Sequence, residues 1–265
     1  LKNEFQVIEA VDLHKLEITP DNYYILPKST IKLFPGGIIP INVNQGQVDI
    51  ILRILKRCNR LKDVFSISEG LRIPQSFELD RQSDYSIVKQ YQFEKWTPIR
   101  DATFITRENL EKVVTVFSSR YQKIISPKKI IIAEDGLEIT ATLDTKKYVP
   151  QGGVYFGVPT NIMFSTESVL ALLNSKLLSS IYKILFGGMH MGGGYLRYRS
   201  SFLEELPVPI MSKNQIDELG NLCGQILEKT KNNDTNAIQI EEELNQKVYE
   251  FYCLELEEIE LINNF

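Results

Sequence analysis

The 265-residue sequence predicts an α+β fold: a mixed β-sheet unit with packed helices, followed by a C-terminal helical hairpin. Three observations carry this. Short apolar or β-branched runs bounded by Pro, Gly and Asp recur up to about residue 158. Between them lie stretches with apolar residues at helical spacing. Beyond Pro207 and Pro209 the pattern turns wholly helical and acidic on its outside.

In residues 1–47, apolar runs (Tyr23 to Leu26, Ile31 to Phe34, Ile38 to Val43) alternate with Pro20, Pro27, Pro35, Gly36, Gly37 and Pro40. This pattern predicts short strands and turns that approach the core without forming it. From Val48, the residues Ile51, Ile54, Leu55 and Cys58 share one helical face, with Arg53, Lys56, Arg57 and Arg60 elsewhere on the same turns, so a basic amphipathic helix is expected. Leu61 to Ser68 reads as a strand running into Gly70, followed by a polar loop with Arg72, Pro74, Gln75 and Ser76. Thr106 is placed to cap a helix whose apolar face is Leu110, Val113, Val114, Phe117 and Tyr121.

Lys129 to Ala133 and Leu137 to Leu143 predict a hairpin across Glu134, Asp135 and Gly136, since Asp-Gly between β-branched runs favours a tight turn. Gly153 to Val158 adds a strand. A helix from Ser165 or Thr166 carries Val169, Leu170, Leu173, Leu177, Ile181 and Leu185, and ends in Gly187, Gly188, Gly192, Gly193 and Gly194, interrupted by Met189, His190 and Met191. Two helices then flank a turn at Asn232, Asn233 and Asp234: Ile216 to Leu227, and Ile240 to Tyr252. The predicted divisions are an approach segment (1–47), a central unit (48–210) and the hairpin (211–265).

Lys and Arg number 30 against 34 Asp and Glu, a net charge of −4 that by itself does not mark a nucleic-acid binder. The charge is divided, however: residues 51–130 hold 16 basic and 9 acidic side chains, whereas 213–265 hold 4 and 12. Cys58, Cys223 and Cys253 lie far apart without CxxC spacing, which fits a reducing, cytoplasmic compartment. No apolar run approaches the length of a membrane span. The chain begins at Leu1 rather than Met, as a segment of a longer polypeptide would.

Two isolated histidines, His14 and His190, cannot build an ordinary zinc centre, and no GxSxG elbow or phosphate-cradling glycine loop is present. His190, among glycines, reads either as a solvent-facing loop residue or as a nucleic-acid contact. Asp144-Thr145-Lys146, with Glu134 or Asp135 upstream, matches the end of a magnesium-dependent nuclease motif, although Asp144 also suits a turn. After the glycines, Tyr195, Arg197, Tyr198 and Arg199 mix aromatic rings with guanidinium groups. That mixture suits phosphate contact and stacking, or else strand tyrosines packed inward with solvated arginines.

Taken in order, Leu172-Leu173-Asn174-Ser175-Lys176, the glycine cluster, Leu196 to Tyr198, Phe202 and Leu203, and the exit Leu206-Pro207-Val208-Pro209 resemble the C-terminal specificity domain of TaqI-like adenine-N6 DNA methyltransferases. That group includes bifunctional restriction-modification enzymes. The same helix, glycines and exit are similar to the target recognition domains of Type I restriction specificity subunits. Upstream, Leu61 to Phe65 and Ile67 to Gly70 resemble the strand and glycine turn that open such domains. Downstream, Glu241 to Glu243, Val248, Tyr249, Phe251, Tyr252 and Leu254 to Ile259 resemble the last helix. The resemblance spans roughly residues 61–260. It departs at Cys253, where the family usually has glycine, and between Pro74 and Trp96, which matches nothing.

The resemblance implies recognition of double-stranded DNA by a non-catalytic unit, beside a methyltransferase domain that holds S-adenosylmethionine. This chain has neither the Asn/Asp-Pro-Pro-Tyr/Phe loop nor the cofactor's glycine turn, so no cofactor is expected here. The candidate DNA contacts are Arg72, Gln75, Ser76, Lys128, Lys129, His190, Arg197, Tyr198 and Arg199. The alternatives are a nuclease using Asp144 and Lys146, and a protein-interaction module built on the hairpin.

Overall fold

A computed structural model describes residues 3–8, 23–101, 103–189 and 194–264. Strands β1 (Glu4–Ile8) and β2 (Tyr23–Pro27) pair antiparallel ahead of helix α1 (Gln45–Arg57). Asn44 and Gln47 close a reciprocal cap at the start of α1, each side chain accepting the other's backbone N–H at 3.0 and 3.1 Å. The approach segment is not peripheral. Alternate residues Tyr24 and Leu26 of β2, with Phe34 and Val43, are buried in the same core as α1. A strand's period of two turns such a short run inward as effectively as a helix face.

The chain continues through β3 (Asn59–Arg60), β4 (Phe65–Glu69), β5 (Tyr85–Val88), β6 (Thr103–Ile105), α2 (Arg107–Val113), α3 (Ser119–Ile124), β7 (Lys129–Ala133), β8 (Asp135–Gly136), β9 (Ala141–Asp144), β10 (Val149–Pro150) and β11 (Val154–Pro159). It then forms α4 (Thr166–Leu173), α5 (Lys176–Phe186), β12 (Leu196–Arg197), α6 (Ser200–Leu203), β13 (Pro207–Val208), α7 (Lys213–Lys231), α8 (Asn236–Phe251) and α9 (Leu256–Asn263).

The central antiparallel sheet has the order β4-β11-β7-β9 and is covered on both faces. Phe65, Ile67, Ile130, Ile132 and Tyr155 point into a large core shared with α1, α4, α5, α7 and α8. Ile131, Ala133, Val154 and Phe156 point into a second core with β5, β6, α2 and α3. Burial on both faces explains why β7 is an unbroken β-branched run without alternation. Ile216, Leu219, Leu222 and Ile226 of α7 lie in the larger core, and α7 packs along α4, so that core runs across the 210/211 boundary. Among the described residues no single helix is long and apolar enough to cross a membrane.

Several expected elements differ from what is observed. The runs Ile31 to Phe34 and Ile38 to Val43, expected as short strands, form the 3₁₀ turns Lys28–Leu33 and Pro35–Gly37 and a stretch without a strand, and the strand expected from Leu61 opens with the 3₁₀ turn Leu61–Asp63 before β4. The helix after Thr106 is two helices, because Ser118 caps a new one by accepting the Tyr121 N–H at 3.1 Å; Phe117, expected on the apolar face, is 83% exposed. Strands β7 and β9 pair as expected, but Gly136 is not among the positive-φ glycines, as a tight Asp-Gly turn requires, and Asp135–Gly136 pairs with β12 instead. The long helix from Thr166 bends by 56° between α4 and α5. At the bend Ser175 caps α5, and the Asn174 amide bonds both the N–H and the C=O of Ala141, each at 2.9 Å.

Cys253 ends α8 at φ +54°, with Cys253 N–H on the Glu250 carbonyl (2.9 Å) and Leu254 N–H on that of Tyr249 (3.1 Å). This is the Schellman stop that glycine normally serves. Cys253→Gly is therefore expected to stabilise the fold by about 1 kcal/mol, read as a higher denaturant midpoint at unchanged slope.

Candidate nucleic-acid interface

The register pairs Tyr155 with Glu69 and Val154 with Ala133, so the exit of β4, the entry of β11 and the exit of β7 meet at one end of the central sheet. From β4 the chain passes Gly70, whose N–H donates to Val154 O (2.9 Å), and Leu71, whose N–H donates to Pro150 O (2.7 Å). A Cβ on Gly70 would lie 2.0 Å from the Gln151 carbonyl oxygen, so only glycine permits this approach. Leu71 and Ile73 are buried, while Arg72, Gln75 and Ser76 are exposed; Gln75 and Ser76 lie on the short 3₁₀ turn Gln75–Phe77. The loop is anchored by its apolar residues and offers its polar ones.

The second segment reaches the same end. Pairing of β12 with β8 sets Arg197 opposite Asp135, and Tyr198 N–H donates to Glu134 O at 2.7 Å. Alternation turns Leu196 and Tyr198 inward and Arg197 and Arg199 outward. Arg197 donates Nε and Nη2 to Glu134 Oε1 at 3.0 and 2.5 Å, which raises its pKa further, and the Arg199 guanidinium lies 5.7 Å from the Phe202 ring centroid. Beneath them the Tyr182 hydroxyl donates to Arg197 O (2.9 Å) and accepts from Arg199 N–H (3.2 Å). Burial pushes its pKa up to about 12 and keeps it a neutral donor. The Gln90 amide fixes the corner, donating to Asp135 O and Oδ1 (3.0 and 2.7 Å) and accepting Glu134 N–H at 3.2 Å.

Five candidates thus lie on segments that leave the same end of the sheet: Arg72, Gln75, Ser76, Arg197 and Arg199. Tyr198 does not belong with them. It is fully buried, edge-on to Tyr182 at 4.8 Å, so the inward-packed alternative holds for Tyr198, whereas Tyr195 is 46% exposed and Arg197 is ion-paired with Glu134 rather than solvated. Lys129 is also excluded, because its side chain is completely buried, ion-paired to Asp144 and donating to Ile124 O at 2.9 Å. Lys128 stands just before β7 at the same far end, about 16 Å from Ala133, paired with Glu167 in the first turn of α4. His190 lies outside the described residues, as do His14, Pro20, Met191, Gly192 and Gly193.

The same geometry overturns the nuclease alternative. Asp144 is buried against Lys129 and accepts the Lys146 N–H at 2.7 Å. Glu134 and Asp135 sit at the opposite end of the sheet, engaged by Arg197 and Gln90, so the three carboxylates cannot share a cation. Gln90, the residue that fixes the corner, falls in the stretch from Pro74 to Trp96 that carries no motif or periodicity, and its role comes only from contacts about 45 residues away in sequence.

Residues 77–208 match the TaqI-like C-terminal specificity domain. The Type II methyltransferase M.BstVI of Geobacillus stearothermophilus is 23% identical over 276 residues, an alignment that takes in all of this chain and 44% of that protein. The chain thus spans less than half the length of this curated relative. The Type IIL restriction-modification enzyme MmeI, solved in complex with DNA, superposes with a TM-score of 0.51 at 11% identity, over 78% of this chain and 35% of that one, which shows a shared fold. The HsdS subunit of Thermoanaerobacter tengcongensis gives 0.46 at 9% identity, over 78% and 50%. The matched segment contains the β7–β8 corner, Arg197 of β12 with the following Arg199, and the exit at β13, and over residues 77–208 this chain carries a TaqI-like C-terminal specificity domain.

Proposed function

We propose that this chain selects the target sequence in double-stranded DNA for an adenine-N6 methyltransferase, acting in the cytoplasm. Catalysis and S-adenosylmethionine binding belong to a separate domain of the same parent polypeptide, on which the acidic C-terminal helices are free to face protein rather than DNA. The observation that carries this reading is the convergence, at one end of a sheet buried on both faces, of the anchored loop bearing Arg72, Gln75 and Ser76 and the segment bearing Arg197 and Arg199. Guanidinium and amide groups are the side chains that grip phosphates and read base edges in the major groove. An enzyme that extrudes a base needs such a grip on the flanking duplex.

The test is to express the full-length parent protein in cells lacking adenine methylation and to map N6-methyladenine across the DNA. A single methylated motif that changes when residues 61–210 are exchanged supports the reading; no methylation from a folded parent overturns it. With the motif in hand, Arg199→Ala is expected to weaken binding about equally at every sequence and to flatten the salt dependence by about one phosphate contact. Gln75→Ala is expected instead to relax discrimination at one base pair by about 1–3 kcal/mol, measured against single-substitution duplexes.

A further inference from the structure

Phe117 is held where neither its backbone nor its side chain is comfortable. The turn Thr115–Ser118 is closed by Ser118 N–H on the Thr115 carbonyl at 3.1 Å, with Phe117 as its third residue at φ +65°, a conformation suited to glycine or asparagine. Helical spacing would have buried this ring beside Leu110, Val114 and Tyr121, all of which are buried; Phe117 is 83% exposed. An exposed phenylalanine in a left-handed backbone gains nothing for folding on either count.

Its mount is firm and stands beside the candidate interface. The turn feeds α3, whose Arg120 donates to the carbonyls of Glu69 and Gly70 and whose Lys123 donates to the hydroxyls of Ser66 (2.7 Å) and Ser68 (2.9 Å). Helix α3 is thereby fastened along β4, and its N-terminal end lies at the sheet end from which Arg72, Gln75 and Ser76 depart. We propose that Phe117 is an apolar wedge that inserts into the bound duplex and stacks at an opened base step. This rests on the reading of the chain as a DNA-recognition unit. The chemistry favours nucleic acid, because every base offers a flat π-face to an aromatic ring, and the exposed Arg72 leaves β4 at the same sheet end to which Arg120 fastens the turn.

The experiment uses the full-length protein and a short duplex carrying the sequence methylated in the mapping, with 2-aminopurine placed in turn at each step. The expected result is a fluorescence rise at one step other than the methylated adenine. Phe117→Gly should abolish that rise and weaken binding about tenfold or more, while raising the protein's melting temperature by ~2–4 °C through relief of the left-handed backbone. Phe117→Trp should retain both the signal and the affinity. Unchanged binding and fluorescence in Phe117→Gly, with Arg199→Ala still weakening binding, overturns the wedge alone. Loss of binding together with loss of stability makes the residue structural and also overturns it. Failure of the wild-type protein to bind or methylate DNA overturns the recognition reading and the wedge with it.

Discussion

Lys129→Met is expected to destabilise the protein by about 3–5 kcal/mol, because it leaves the Asp144 carboxylate buried without its countercharge. The two side chains are fully enclosed, at the junction of the start of β7, the end of β9 and the last turn of α3. Burial outweighs the attraction of Asp144 and lowers the lysine pKa, so the pair is poorly compensated even when intact. The double replacement Lys129→Met with Asp144→Leu should therefore recover most of the loss. Equilibrium denaturant unfolding of the two single variants and the double variant measures this coupling, and additive losses would show that the two groups do not act as a pair. Because the pair is remote from the sheet end that carries Arg72 and Arg199, DNA discrimination by the folded fraction should not change.

Gly70→Ala should harm both stability and recognition. Its new methyl group would meet the Gln151 carbonyl oxygen at 2.0 Å, the carbonyl carbon at 2.5 Å and the Val154 oxygen at 2.9 Å, all backbone atoms that cannot rotate away. The chain must shift, and the first bonds lost are Gly70 N–H to Val154 O and Leu71 N–H to Pro150 O. An overpacking loss of about 3 kcal/mol is expected. The same shift displaces Arg72, Gln75 and Ser76, so affinity for the methylated sequence should fall at least about tenfold, the equivalent of one good base contact. Calorimetry and titration of the same duplex separate the two effects. Retained affinity in a destabilised variant would show that the loop's placement does not depend on the Gly70 corner.

Elements with a strong local signal were legible in the chain itself. The apolar spacing of α1, α7 and α8, the β-branched run of β7, the strand at β11 and the cap at Thr106 are properties of neighbouring residues, and the structure places them within a few residues of expectation, whereas the Asn44 cap ahead of the apolar spacing went unread. The errors share a different origin. Phe117 continues a helical period that the Ser118 cap interrupts, and Leu177, Ile181 and Leu185 continue one that Asn174 and Ser175 bend, because apolar periodicity survives a break that preserves the buried face. Asp135-Gly136 has the composition of a tight turn, yet it pairs with β12 some sixty residues later, a partner that local composition cannot reveal.

For the interface, residue type pointed to arginines, glutamines and lysines but could not say which were free. Of the nine candidates, Arg72, Gln75, Ser76, Arg197 and Arg199 lie on segments at one end of the sheet, Lys129 and Tyr198 are core residues, Lys128 is paired at the far end, and His190 lies outside the described residues. A lysine in a β-branched strand carries the same charge whether it meets solvent or a buried carboxylate. By itself, then, the sequence determined the fold class, the family, and the separation of a basic stretch from an acidic helical end, because these reside in composition, local spacing and motif order. Only the tertiary structure decided which polar groups face outward together, since that depends on sheet register and on partners distant along the chain. It was the register of β4, β7 and β11, with the pairing of β12 on β8, that set the Gly70 loop and the segment of Arg197 and Arg199 at one end of the sheet and sent Lys129 inside.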